Sequence, residues 1–333
     1  MQWFERLPKV ELHVHLEGAI PHPALWELIR KYGGDPSVPD LDALRQRFEY
    51  RDFSQFIETW SWKNKFLREY EDFTLVAEVT ARDLAAQNIR YAEMFFSPSL
   101  FLRHGLEVQR LAEAVRTGLD RARGITVALI ADLVRDYGPK AEARMLAKLK
   151  EVKDQGVIGI GIGGSEAQFP PEPFEPVYRE ARRLGFHTNA HAGEAAGARS
   201  IWGAVRRLQV ERIGHGTRAH EDSTLVEYLA EKQIPLEMCP LSNVRTGVVN
   251  QLSNHPIRRY FEQGIAVTVN TDDPRMFNTS LAKEYQSLVE ECGFSRREIC
   301  GLVLAAIESS WASADRKQSL QQSFGKDPSW IDE

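Results

Sequence analysis

Eight short apolar or β-branched runs recur along the 333 residues, and most are fed by stretches of helical periodicity. They are Lys9–His13, Ile89–Ser97, Thr126–Asp132, Val157–Ile162, Phe186–His191, Arg212–His215, Pro235–Cys239 and Ile265–Thr271. Helical patterns intervene at Val108–Arg123, Lys140–Lys153, Phe174–Leu184, Ile201–Leu208 and Ser223–Lys232. Continuous apolar strands divided by amphipathic helices imply a parallel sheet covered on both faces. Eight such units predict an α/β fold, a (β/α)8 TIM barrel, with a helical insertion after the first strand from about Pro21 to Gln87. An open doubly wound sheet is the alternative, but no Gly-rich strand-to-helix phosphate fingerprint stands near the N-terminus. No repeat, low-complexity tract or linker divides the chain, so residues 1–333 are read as a single domain.

The charge pattern removes several function classes. The formal net charge is −5, and basic residues are interspersed with acidic ones, which offers no stripe for nucleic acid. No apolar stretch reaches the length of a membrane span, and the N-terminus lacks a signal-peptide layout. The three cysteines, Cys239, Cys292 and Cys300, are too scattered for a disulfide framework or a Cys-based zinc site. They read as small core residues in a reducing compartment. The expectation is a soluble cytoplasmic protein with neither nucleic acid nor membrane as partner, of undetermined oligomeric state.

His13 and His15 stand one residue apart in a strand, where residues i and i+2 share a face, so both imidazoles reach one point in space. Further polar residues gather where other strands end, which is where a barrel builds its site. After the first strand comes Glu17; the fifth ends in His191-Ala-Gly-Glu194 and the sixth in Ile213-Gly-His215-Gly216. The eighth ends in Asn270-Thr-Asp272-Asp273-Pro274. Three histidines and an aspartate from different strands can form an N/O metal shell with a position left for water. Glu194, His215 and Asp273 then remain as proton handlers. The competing readings are that His191 and His215 cap strand ends, and that Asp272 and Asp273 cap a helix before Pro274. His22, His104, His187, His220 and His255 match no ligand position, and His255 is assigned to the surface or to a cap. The aromatics Phe56, Trp60, Trp62, Phe66 and Tyr70 within Phe53–Phe73 recur at helical spacing. They serve either as core or as a wall over a substrate.

Taken in order, Glu-Leu-His-Val-His-Leu-Glu-Gly, Gly-Gly-Ser-Glu (Gly163–Glu166), His-Ala-Gly-Glu, Gly-His-Gly, Cys-Pro-Leu-Ser-Asn (Cys239–Asn243) and Asn-Thr-Asp-Asp-Pro resemble the adenosine deaminase family. The match runs from Lys9 to about Asp273 and on through the helices that follow. Members are metal-dependent (β/α)8 hydrolases that remove the 6-amino group of adenine-type bases. The resemblance implies one Zn2+ per chain on His13, His15, His191 and Asp272. It implies Glu194 as the acid for purine N1, His215 orienting the hydroxide, and Asp273 accepting hydrogen bonds from hydroxide and amino group. His15, Glu17, Gly164 and Asp273 would meet the substrate, Gly164 through its N–H to N3.

Adenosine deaminases usually carry Asp where this chain has Glu17, whereas adenine deaminases and deaminases of modified adenosines such as 6-aminodeoxyfutalosine carry Glu. Gly164 leans towards a nucleoside, because adenine deaminases often place Ser there. The expected reaction is therefore adenosine to inosine plus ammonia, on a small-molecule purine nucleoside. 6-Aminodeoxyfutalosine and adenine are the alternatives, and the Glu17 carboxylate disfavours AMP. A binding module without turnover would show a lost ligand or acid, and all seven positions are filled. A two-metal hydrolase would want a lysine at the end of strand four, where this chain has Ile162-Gly163-Gly164.

Overall fold

The computed structural model describes residues 2–50 and 53–330. Eight parallel strands pair in chain order: β1 Lys9–His15, β2 Ile89–Phe96, β3 Thr126–Val134, β4 Val157–Gly163, β5 His187–Ala192, β6 Arg212–His215, β7 Leu236–Met238 and β8 Val267–Val269. A parallel bridge between Val14 and Asp272 brings the end of β8 back onto β1. There Asp272 N–H donates to His13 O and His15 N–H donates to Asp272 O, both at 2.9 Å. The fold is a (β/α)8 barrel.

Strand limits follow the partner strand rather than the apolar signal. β1, β3 and β4 run past their predicted ends, to His15, Val134 and Gly163, because His15 pairs with Phe95 and Val134 with Gly163. β7 and β8 shrink to three residues each. Four helices lie between β1 and β2: α1 His22–Lys31, α2 Leu41–Arg47, α3 Phe53–Lys63 and α4 Tyr70–Ala86. α2 starts where Asp40 accepts the Ala43 N–H, a side-chain cap for an otherwise orphaned donor. No helix among the described residues is long and apolar enough to cross a membrane.

The barrel interior corrects the picture of uniformly apolar strands. All seven residues of β1 are buried; Val10, Leu12 and Val14 join the apolar core, while Lys9, Glu11, His13 and His15 alternate with them. Across the barrel, Arg212 pairs with Glu93 and with Glu237, each at 2.6 Å, and lies 3.5 Å over the Trp311 ring. Taking such ions out of water costs several kcal/mol apiece, a penalty offset only where each is paired and hydrogen-bonded. Tyr91 accordingly donates to Glu93 and Asn189 donates to Glu237. This polar layer ends at His13, and so ties the barrel's structure to its mouth.

Candidate active site

Two strands, β1 and β5, and the end of a third, β8, deliver four polar atoms to one point. His13 Nε2 and His15 Nε2 stand 3.1 and 3.2 Å from His191 Nε2, and 3.6 and 3.4 Å from Asp272 Oδ1. Four tetrahedral ligands about 2.0–2.1 Å from a zinc ion lie roughly 3.3–3.4 Å from one another. The donor set and its spacing therefore fit a divalent metal. His13, His191, His215 and Asp272 also offer ligand atoms within 4.8 Å of one another, so His215 borders the same point. His13 Nδ1 lies 2.8 Å from Glu237 Oε2, a pure acceptor, so Nδ1 carries a proton and Nε2 is the nitrogen turned to the cluster. Ser242 Oγ donates to Asp272 Oδ2 at 2.7 Å and leaves Oδ1 for the cluster.

Electrostatics favour a cation here. Burial opposes charge on His13, but Asp272 and Glu237 outweigh it and push its pKa up to about 10. Burial drives His15 down to about 3 and His191 well below the usual range. Against its burial, the surrounding histidines hold the Asp272 carboxyl well below the carboxylate range. Asp272 and His215 both hold left-handed backbone conformations, φ 61° and 63°, a strain typical of functional sites.

Glu194 lies with its Oε2 3.7 Å from His215 Nε2. Burial, then the charges of Asp272 and Glu166, raise its pKa well above the usual range, which favours its protonated form. Its backbone is held by Glu166, whose carboxylate accepts the N–H groups of Gly193, Glu194, Ala195 and Ala196 at 2.6, 3.1, 2.7 and 2.9 Å. Sequence reasoning named Glu166 only as part of a motif.

His215 is set by a chain of donors that also corrects the placement of His255, which is buried rather than on the surface. Ile257 N–H donates to His255 Nδ1, so the His255 proton sits on Nε2 and points to Asn243 Oδ1 at 3.1 Å. Thr217 Oγ1 donates to the same oxygen at 2.8 Å. This turns the amide so that Asn243 Nδ2 donates to His215 Nδ1 at 3.3 Å. The His215 proton is left on Nε2, the nitrogen towards Glu194.

A cavity of about 340 Å³ lies over the cluster, lined at one end by His15, His191, Glu194, His215, Asp272 and Asp273. Asp273 Oδ1 has no hydrogen-bond partner, and its carboxyl occupies the place where a Cβ on Gly18 would stand, so only glycine fits there. Burial and the adjacent Asp272 raise the Asp273 pKa. Gly164 lines the cavity, and a side chain on it would run into Asp136. Glu17 does not line it. Its Oε1 accepts the Ser97 N–H at 2.9 Å from a buried position, with burial raising its pKa and the Lys63 ammonium opposing that rise. Lys63 itself is buried 3.8 Å over the Trp60 ring, and burial lowers its pKa to about 8.

Of the aromatics on and after α3, Phe56 and Trp60 wall the cavity, Trp60 meeting His15 edge-on at 5.9 Å. Trp62 and Phe66 are core, Trp62 donating to Asp35 at 2.7 Å, and Tyr70 accepts the Glu107 N–H. The Phe53 side chain lies outside the described residues. Asp132, which sequence reasoning treated only as the last residue of a strand, also lines the cavity.

The family model described as Adenosine deaminase matches residues 8–326. The chain is 36% identical to an adenine deaminase of Bordetella avium, over 92% of this chain and 98% of that one. It is 35% identical to an aminodeoxyfutalosine deaminase of Streptomyces avermitilis, over 94% and 89%. It is 35% identical to an adenosine deaminase of Edwardsiella ictaluri, over 95% and 97%. An adenine deaminase structure from Arthrobacter aurescens superposes with a TM-score of 0.91 at 32% identity, covering 96% of this chain and 98% of that one. An amidohydrolase structure from Burkholderia ambifaria with bound Zn gives 0.89 at 29%, covering 97% and 91%.

Proposed function

The chain belongs to the adenosine deaminase family, and we propose that it hydrolytically deaminates an adenine nucleoside, adenosine to inosine plus ammonia, as one catalytic domain with one zinc ion. The observation that carries this reading is the meeting of three imidazole nitrogens and one carboxylate oxygen beneath a cavity that is also lined by the Glu194 carboxyl. His13, His15, His191 and Asp272 would hold the metal. When bound, that ion acts as a Lewis acid that makes a water nucleophilic at neutral pH. Zinc suits the three-nitrogen, one-oxygen donor set, and the zinc in the Burkholderia ambifaria amidohydrolase supports it.

Glu194 gives its proton to purine N1, which withdraws electron density from C6 and opens it to attack. His215 directs its Nε2 proton at the attacking oxygen and stabilises the charge that develops there. Asp273 ionises more readily once a cation offsets the repulsion from Asp272, and it then accepts hydrogen bonds from the nucleophile and the leaving amino group. Water adds at C6; one of its protons leaves on the ammonia and the other restores Glu194, whose own proton stays on N1 of the 6-oxopurine. Gly164 meets N3, and His15 lies on the sugar side with Glu17 behind it.

A nucleoside fits because the cavity extends past the metal end to an apolar wall of Phe56, Ile57, Trp60 and Leu100. A 5′-modified adenosine such as 6-aminodeoxyfutalosine is the second reading, favoured by that same wall and by the Streptomyces avermitilis relative. Asp136 in the lining opposes a phosphate. Ammonia release by the zinc-loaded protein tests the proposal on adenosine, 2′-deoxyadenosine, adenine, 5′-methylthioadenosine, 6-aminodeoxyfutalosine and AMP. Adenosine or a 5′-modified adenosine should lead; free adenine ahead by a wide margin would defeat the nucleoside reading.

A further inference from the structure

We infer that Asp132 determines specificity by hydrogen-bonding the donor that the substrate carries on the N9 side of its ring, an inference that rests on the deaminase reading above. That donor is a ribose hydroxyl in a nucleoside and the N9–H in a free base.

Asp132 has no evident structural employment. It is only 5% exposed, its Oδ1 is buried without a hydrogen-bond partner, and it lines the cavity shared with Glu194 and Asp272. Burying a carboxyl in this way costs free energy that an apolar residue would avoid. The nearby cation gives it no hydrogen bond, because Arg135 donates to the carbonyls of Ile162, Gly163, Phe169 and His191, and its charge offsets the burial only in part. The neighbouring strand leaves room for it at Gly163, where a Cβ would stand 2.8 Å from Oδ2; at Gly161 a Cβ would meet Phe95 first, at 2.7 Å, and Asp132 Oδ1 at 3.1 Å.

The order of strands matches the order of atoms around a purine. With C6 at the metal cluster, N1 faces Glu194 after β5. N3, diagonally across the six-membered ring from C6, faces Gly164 after β4. N9, beyond N3, then faces β3, and Asp132 is the carboxyl that β3 presents to the cavity. Burial, then the charge of Glu17, pushes the Asp132 pKa up to about 8, so near neutrality its carboxyl both accepts and donates.

Asp132→Ala and Asp132→Asn in the zinc-loaded protein test this on adenosine, its 2′-deoxy and 3′-deoxy forms, adenine and 9-methyladenine. Asp132→Ala should lower kcat/KM for the best substrate by about 5- to 100-fold, chiefly through KM, with metal content unchanged. Asp132→Asn should recover most of the loss. The analogue that lacks the contacted donor should be poorer for the wild type yet lose nothing more in Asp132→Ala. A deoxy analogue behaving so identifies a hydroxyl, and 9-methyladenine identifies the N9–H. A loss of equal size on every substrate, or one confined to kcat, overturns the inference, as does an Asp132→Ala enzyme indistinguishable from an active wild type. A wild type that deaminates none of the panel overturns the deaminase reading itself, and this inference with it.

Discussion

Asn243→Asp replaces one NH2 by oxygen at constant size, and should move a proton from one side of His215 to the other. Asn243 donates to His215 Nδ1 while its oxygen accepts from Thr217 and His255. A carboxylate only accepts, so His215 must place its proton on Nδ1 and turn a bare Nε2 to the cavity. The lost donor faces the oxygen on which charge develops; removing one such donor costs about 10²–10³ in kcat, or ~2.7–4 kcal/mol. Tm should fall, because a charge is buried without a counter-ion, although Thr217, His255 and the His215 N–H all donate to the new carboxylate and offset part of that cost. The assay is ammonia release at saturating substrate, with metal content, Tm and the ring ¹⁵N shifts of His215 measured on the same preparation. A kcat within about threefold of wild type, far short of an acid–base or donor loss, would refute the reasoning. So would ¹⁵N shifts showing the proton still on Nε2.

Glu166→Gln sets an NH2 against one of the four backbone donors that the carboxylate now accepts; kcat should fall by at least about tenfold as Glu194 is displaced. Because the Glu166 charge also raises the Glu194 pKa, and Glu194 acts protonated, the alkaline limb of kcat/KM should move to lower pH. His191→Ala should lose metal and activity together while circular dichroism shows the barrel intact; stoichiometric zinc with full turnover would remove His191 from the ligand set. Glu194→Gln should keep zinc and purine binding but lose about 10²–10⁴ in kcat, since an amide cannot protonate N1. Glu284 tests linkage away from the site: burial raises its pKa from 4.5 to about 8. The folded protein keeps a proton that the unfolded chain releases, so this group's contribution is fully present below about pH 4.5 and is lost as pH rises to about 8. Glu284→Gln should therefore raise Tm relative to wild type at about pH 9 and not at about pH 5.

The barrel was legible because each strand announces itself locally, and the meeting of His13 with His15 because strand alternation places both on one face. What depends on contacts distant in sequence was not. Glu166 reads as one more acidic loop residue until the chain folds the Gly193–Ala196 backbone around it. His255 beside Pro256 looks like a surface residue, and only packing over Asn243 buries it. Glu17 sits next to the metal motif and was expected to touch substrate, yet its carboxylate is engaged by a backbone N–H 80 residues away. Glu93, Arg212 and Glu237 fall in strand patterns that suggest an apolar interior, because hydrophobic periodicity cannot register charges that neutralise one another across a barrel.

The two backbone hydrogen bonds of Asp272 also set the moment at which the site comes into existence. Asp272 follows His15 by 257 residues, and the bonds that seat its carboxylate are the same ones that join the end of β8 to β1. At about 5–20 residues per second, the histidine pair waits roughly 13–50 s during synthesis for its aspartate. Through that interval β1 presents an unpaired strand edge, and the histidines lack a fourth ligand. Barrel closure and completion of the metal site are then one event, placed late in translation. A nascent chain halted before Asn270 carries every histidine of the cluster and lacks its aspartate, so on the proposed ligand set tight metal uptake would report that the barrel has been finished.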